Sequence, residues 1–210
     1  MVIVLPDGQA TRSSIEAAFD RLSARVQPSD VFVLYLAGHG RSFDGRYHFL
    51  PAETVYENEE ALRRQSLSED YLKGLLPKIR AQKSVLVLDT CHAGAALNLA
   101  LAMTRGSDIK DALSRLMRAT GRAVLAATSD RDVAFEGYRD HGVFTYALLA
   151  GLRGAADRPE RDGPRDRVIT IDELSDYVQQ EVPRLTLDKF HKEIFPMRSV
   201  EGHSFPIGGY

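Results

Sequence analysis

Two short runs of consecutive hydrophobic residues constrain the fold more than any other feature of this sequence. Residues 31–37 are hydrophobic throughout, and residues 85–88 are a second, entirely aliphatic run. A strand with one face in water alternates apolar and polar residues, whereas an uninterrupted run is typical of a central strand covered on both faces. Strands of this kind belong to parallel sheets flanked by helices, so the two runs predict an α/β fold.

Segments of helical periodicity separate the strand candidates. Ser13 and Glu16 have the spacing of a capping box, which predicts a helix that begins there and ends near Val26. Thr170 and Glu173 repeat this spacing and predict a helix through about residue 182. The other predicted elements are strands at residues 2–5, 46–50 and 123–127, and helices at residues 108–119, at 143–152 and after an N-cap at Ser68. Residues 52–66 and 157–167 are polar and are predicted to be exposed.

Composition narrows the classes of function. The chain has 210 residues, 44% of them hydrophobic, which suffices for the core of one domain. Its net charge of −2 gives no electrostatic footprint for nucleic acid or an anionic membrane. No apolar run approaches the roughly 18 residues of a membrane span. The single cysteine excludes an internal disulfide and a multi-cysteine zinc site, and a lone thiol favours a reducing, cytoplasmic location.

The cysteine and one histidine lie where two predicted strands end. Gly38-His39-Gly40 follows the first hydrophobic run, and Asp89-Thr90-Cys91 follows the second. The carboxyl ends of parallel strands meet at one edge of a sheet, which would bring His39 and Cys91 together. A lone cysteine is otherwise most often a small buried hydrophobe. Beside an imidazole, however, a thiol can lose its proton and act as a nucleophile, with the backbone amides of Gly40 and Cys91 available to bind an oxyanion.

These motifs resemble the superfamily of caspases, metacaspases and orthocaspases. A hydrophobic strand leads into Gly38-His39-Gly40, and a second leads into Asp89-Thr90-Cys91-His92-Ala93-Gly94, 52 residues from histidine to cysteine. The second motif is closer to metacaspases and bacterial orthocaspases than to animal caspases, and residues 126–129, 134–136 and 141–145 are also similar. The resemblance implies a three-layer sandwich: a mostly parallel central sheet with helices on both faces. Residues 1–210 would then be one caspase-like peptidase domain that lacks the first strand of the family.

The resemblance also implies roles for individual residues. Cys91 corresponds to the nucleophile, His39 to the catalytic histidine, and the amides of Gly40 and Cys91 to the oxyanion hole. Asp89 corresponds to the floor of the primary specificity pocket, where an acid suits cleavage after Arg or Lys. Asp89 could instead cap a turn or pair with a structural arginine. The pair Asp132 and Glu136 is expected to border the same pocket.

The implied activity is that of a cysteine endopeptidase acting on proteins or peptides through a thioester acyl-enzyme. No cofactor is expected, although many metacaspases are activated by calcium. The acidic residues between Glu53 and Glu60 lack the tight spacing of a calcium loop and favour a solvated face. The alternative is a catalytically silent caspase-fold module that regulates by interaction. In either case bacterial relatives lead us to expect sensor or repeat domains elsewhere in a longer parent polypeptide, and neither nucleic acid nor membrane as a partner.

Overall fold

The structure is a computed structural model that describes residues 1–44, 46–91, 123–127, 138, 141–159, 165–200 and 203–210. Its helices are α1 (Arg12–Ser23), α2 (Glu59–Gln65), α3 (Glu69–Leu75), α4 (Val143–Ala150) and α5 (Ile171–Phe190). Its strands are β1 (Val31–Phe43), β2 (Arg46–Leu50), β3 (Leu67–Ser68), β4 (Lys83–Cys91), β5 (Ala123–Ala126), β6 (Val168–Thr170), β7 (Met197–Val200) and β8 (Pro206–Gly209). The predicted helix at residues 108–119 lies outside the described residues.

Six of these strands form the central sheet, in the order β3-β2-β1-β4-β5-β7. The neighbours β1, β4 and β5 are parallel to one another. Strand β2 is antiparallel to β1, β3 is antiparallel to β2, and β7 is antiparallel to β5. Strand β3 therefore points the same way as β1, and four of the six strands share one direction. Strands β6 and β8 form a separate antiparallel pair.

Each face of the sheet has its own hydrophobic core. On one face, Phe32, Leu36, Leu86 and Leu88 pack with α1 and α3. On the other face, the alternate residues of β4 and β5 pack with α4 and α5. Side chains of a strand alternate between faces, so the hydrophobic run of β4 contributes to both cores. This arrangement confirms the predicted three-layer α/β sandwich with helices on both faces.

Strand β1 departs from the prediction that both of its faces are covered. It lies inside the sheet, between β2 and β4. Phe32 and Leu36 are buried in the first core, but Val31, Val33 and Tyr35 on the opposite face are 36%, 47% and 45% exposed. The prediction was therefore wrong for this face: in the part of the chain that the structure describes, α4 and α5 pack on β4 and β5 and leave Val31, Val33 and Tyr35 partly exposed, although the Tyr35 hydroxyl contacts Thr145 of α4.

The predicted strand at residues 2–5 is also absent. These residues form no ladder with any described strand, and Val2 and Val4 are 86% and 71% exposed. Leu5 alone is packed against the first core. A strand needs a partner for its backbone groups, so the hydrophobic character of these residues does not suffice. None of the helices in the described ranges is long and apolar enough to cross a membrane.

Two helix boundaries differ from the sequence prediction. Helix α1 is capped by Thr11, whose side chain accepts a hydrogen bond from the amide of Ser14, and not by Ser13. The capping box of α5 forms as predicted between Thr170 and Glu173, but this helix continues through Pro183 to Phe190. The apolar side of α5 is buried in the second core. The free energy gained by this burial outweighs the loss of the backbone hydrogen bond that proline cannot donate.

Two segments predicted to be exposed are partly buried. Helix α2 falls within residues 52–66, and its Ala61 and Leu62 are buried. Asp157 is only 3% exposed and accepts hydrogen bonds from the Arg167 amide and the Tyr210 hydroxyl, at 3.0 and 3.1 Å. The Asp157 carboxylate thus holds the two ends of the segment 157–167 close together and binds Tyr210.

Candidate active site

The sheet brings the two candidate catalytic residues side by side. Strands β1 and β4 run parallel, and their register pairs His39 with Cys91. Neighbouring strands lie about 4.8 Å apart, so the two backbones are within reach of a direct side-chain contact. His39 is also paired with Leu50 of β2, which holds its backbone from both sides. The histidine is exposed at the edge where substrate can reach it.

The two glycines that flank His39 are each required for a different reason. Gly38 has a φ of +137°, a backbone conformation that residues with a side chain rarely adopt. Gly40 is buried, and a Cβ atom there would lie 3.0 Å from both Thr90 Oγ1 and Tyr47 Cε2. The Gly38-His39-Gly40 motif, which was predicted to end the strand, lies inside β1, and its two glycines are a structural requirement for placing His39 beside the end of β4.

Gly40, predicted to contribute to the oxyanion hole, lies one residue beyond the last β1–β4 pair. Its Cα is paired with Phe49 of β2. The buried side chains of Thr90 and Tyr47 pack against it, and burial raises the pKa of the Tyr47 phenol. These two side chains are uncharged and tightly packed, so they fix the backbone of residue 40 relative to that of residue 91.

Asp89, the predicted pocket residue, is paired with Ala37 of β1 and lies on the same face of the sheet as positions 39 and 91. Its Oδ2 atom accepts a hydrogen bond from the Thr145 hydroxyl at the start of α4. The Tyr35 hydroxyl donates to the same oxygen at 3.3 Å and lies 2.6 Å from Thr145 Oγ1. Asp89 is therefore two strand positions from Cys91, and hydroxyl groups surround one of its oxygens.

The other predicted pocket residues, Asp132 and Glu136, lie outside the described residues. Tyr35 and Thr145 were not singled out as site residues by the sequence. A usable signal existed for Tyr35: it has the only hydroxyl in residues 31–37, and it shares a strand face with His39. Thr145 lies in one of the stretches on which the family resemblance rests, residues 141–145, but nothing in the sequence gave it a role at Asp89, because only packing places α4 over the end of β4.

The acidic residues between Glu53 and Glu60 engage basic or backbone groups of the chain itself. Glu53 accepts a hydrogen bond of 2.8 Å from the amide of Arg12. Glu59 and Glu60 form ion pairs of 3.1 and 3.0 Å with arginines one turn later in α2. Across the described ranges, no group of three or more His, Cys, Asp or Glu side chains could hold a metal ion.

A protein-family model matches most of the chain. The family model described as the caspase domain matches residues 2–199. The chain belongs to the caspase-domain family of peptidases, and this membership supports a cysteine-peptidase class of activity.

A solved structure shares the fold. It is the crystal structure of protein GSU0716 from Geobacter sulfurreducens, with a TM-score of 0.50 and 17% sequence identity. The match covers 96% of this chain and 75% of that chain. No curated protein matches the sequence.

Proposed function

We propose that this protein is a cysteine endopeptidase in which Cys91 is the nucleophile and His39 its proton-transfer partner. The observation that supports this most is the register of the parallel strands, which pairs these two positions directly. The two positions form the last residue pair of the β1–β4 ladder, at the carboxyl end of β4, where α/β folds assemble their sites. The chain has no other thiol, so a cysteine-dependent activity must use Cys91.

The chemistry follows the usual route of acyl transfer to a thiol. His39 takes the thiol proton as the sulfur attacks the scissile carbonyl carbon, and the amides of Gly40 and Cys91 stabilise the oxyanion. The intermediate collapses to a thioester while the imidazolium of His39 donates its proton to the leaving amine. Water, deprotonated by His39, then attacks the thioester, which releases the carboxylic acid product and restores the thiol.

Cleavage after Arg or Lys is the specificity that Asp89 supports. Its carboxylate lies on the same sheet face as position 91 and two residues before it. A carboxylate in a partly desolvated pocket binds a guanidinium or ammonium group and rejects an acidic side chain. The expected substrates are therefore peptides or proteins with a basic residue before the scissile bond.

The test is hydrolysis of a panel of fluorogenic peptides with Arg, Lys, Asp or Leu before the scissile bond. The wild-type protein should cleave the Arg and Lys peptides, Cys91→Ala should be inactive, and Asp89→Ala should lose most of kcat/KM for basic peptides. Parallel reactions with calcium and with a chelator determine whether the ion activates the enzyme.

A folded wild-type protein without Cys91-dependent hydrolysis on any peptide would contradict the proposal. That result would favour the catalytically silent interaction module. Cleavage that depends on Cys91 but is unchanged in Asp89→Ala would support the peptidase activity and contradict the proposed role of Asp89 in specificity. A cytoplasmic location and association with sensor or repeat domains stay predictions.

A further inference from the structure

Two hydroxyl groups and one carboxylate, each from a different element, lie within hydrogen-bond distance of one another. Tyr35 belongs to β1, Asp89 to β4 and Thr145 to α4. The Tyr35 hydroxyl lies 2.6 Å from Thr145 Oγ1 and 3.3 Å from Asp89 Oδ2, and the Thr145 hydroxyl donates to the same Oδ2. We call this group the Asp89 cluster: Tyr35, Asp89 and Thr145.

The hydrogen-bond directions in the cluster suit an ionised carboxylate. An ionised Asp89 only accepts, so the Thr145 proton must point towards it. The single Tyr35 proton then points either to Thr145 Oγ1, which makes a donor chain that ends at the carboxylate, or directly to Asp89 Oδ2, which makes two parallel donors to it. Charge-assisted hydrogen bonds of this kind are stronger than neutral ones and fix the geometry of the acid.

The cluster also connects the catalytic edge to the helix on the second face. Gly142, the N-cap of α4, has no side-chain cap, and a Cβ atom there would lie 3.7 Å from Asp89 Oδ2. The carboxylate thus lies at the N-terminal end of α4, where the helix dipole favours a negative charge. Because Tyr35 and Thr145 are 110 residues apart, only the folded chain assembles the cluster.

We propose that Tyr35 and Thr145 are positioning residues that determine the preference for a basic side chain before the scissile bond. They hold the Asp89 carboxylate in the orientation that receives a guanidinium or ammonium group. Both residues act through Asp89 in this proposal, so their removal should alter the recognition of charge more than the rate of thioester formation. This inference rests on the proposed function and assigns its specificity to two further residues.

The experiment compares peptides that differ only in arginine or citrulline before the scissile bond, since citrulline has the same shape without the charge. The wild-type protein is expected to favour arginine strongly in kcat/KM. Tyr35→Phe and Thr145→Val should each lower the arginine-to-citrulline ratio of kcat/KM about tenfold, mainly through a higher KM for the arginine peptide. Thr145→Ser, which keeps the hydroxyl, should restore the ratio.

The matched control is Tyr71→Phe. Tyr71 also donates its hydroxyl to a carboxylate, that of Glu16, but it packs against the core on the opposite face of the sheet. This variant should leave the ratio unchanged. Ratios equal to the wild-type value in Tyr35→Phe and Thr145→Val, alongside a loss in Asp89→Asn, would overturn the inference while retaining the proposed function.

A second measurement does not depend on turnover. Cys91 is the only cysteine, so its alkylation by iodoacetamide, followed by mass spectrometry, reports on this edge alone. Benzamidine, a planar cation, should slow alkylation of the wild-type protein and of Tyr71→Phe, and should fail to protect Tyr35→Phe and Thr145→Val. Equal protection in all four proteins would overturn the role of the two hydroxyls. No protection of the wild-type protein, together with no cleavage after arginine, would overturn both the specificity and this inference.

Discussion

Replacing Gly40 with alanine tests the packing that holds β1 in place next to His39. The new Cβ atom would lie 3.0 Å from Thr90 Oγ1, 3.0 Å from Tyr47 Cε2 and 3.1 Å from Thr90 Cβ. Thr90 and Tyr47 are 5% and 9% exposed, so neither can move without disturbing the core below the site. Overpacking of this kind costs about 1–3 kcal/mol.

Thermal unfolding of the purified protein measures this cost. For a chain of this length, 1 kcal/mol corresponds to about 2–4 °C in Tm, so Gly40→Ala should lower Tm by about 2–12 °C. Gly74→Ala is the matched control, because Gly74 lies in α3 with no atom within 4 Å of its added Cβ. Alanine has the better helix propensity, so this control should raise the stability by about 0.5–1 kcal/mol.

The two substitutions add the same methyl group but should have opposite effects on the stability of the protein. A Gly40→Ala protein as stable as the wild type would show that position 40 has room for a side chain. The account of the Gly38-His39-Gly40 motif as a packing requirement would then be wrong. Peptidase assays on the same samples would show how far His39 tolerates a shift of its neighbour.

Two further predictions concern backbone strain and pH. Gly38→Ala should lower the free energy of unfolding by about 1–3 kcal/mol in urea titrations, since φ is +137° there, and an unchanged midpoint would argue against strain. Burial, and secondly the charge of Arg63, lowers the pKa of His48 below its ordinary value of about 6.5, and His48 Nδ1 lies 2.7 Å from Ser66 Oγ. As the pH drops, the histidine of the unfolded state therefore binds a proton at a higher pH than His48 of the folded state. The contribution of His48 to the free energy of unfolding is fully present above about pH 6.5 and is lost as the pH falls through the folded-state pKa. His48→Gln should unfold with a shallower loss of stability between about pH 7 and pH 5, and identical slopes would refute this assignment.

The amino-acid sequence was sufficient to predict the elements that carry the candidate dyad. The hydrophobic runs before Gly38 and Asp89 are local features, and each forms a strand, although β1 continues past the predicted end at Gly38-His39-Gly40 to Phe43 and β4 continues to Cys91. The capping residues Ser68 and Thr170 likewise start helices α3 and α5, because a side-chain oxygen satisfies nearby backbone amides without help from distant residues. Most predictions that depend only on neighbours along the chain were therefore confirmed, with the cap of α1 as an exception, since Thr11 supplies it in place of Ser13.

Predictions that depended on distant partners were less successful. Residues 2–5 have the hydrophobic character of a strand but no ladder partner in the described part of the sheet, so they form none. The uninterrupted run in β1 predicted cover on both faces, yet Val33 and Tyr35 are exposed, because cover depends on where helices from elsewhere in the chain pack. Hydrophobicity identifies what can be buried, and topology decides what is buried.

The same division applies to the site. By itself the sequence determined the residue types and the order of the motifs around His39 and Cys91, since both are written in consecutive residues. Only the tertiary structure decided that β1 and β4 are parallel neighbours in a register that pairs these positions. It also decided that Tyr35 and Thr145 meet at Asp89, from 54 and 56 residues away. Contacts over such separations arise from the joint packing of sheet and helix, and no local pattern of side chains encodes them.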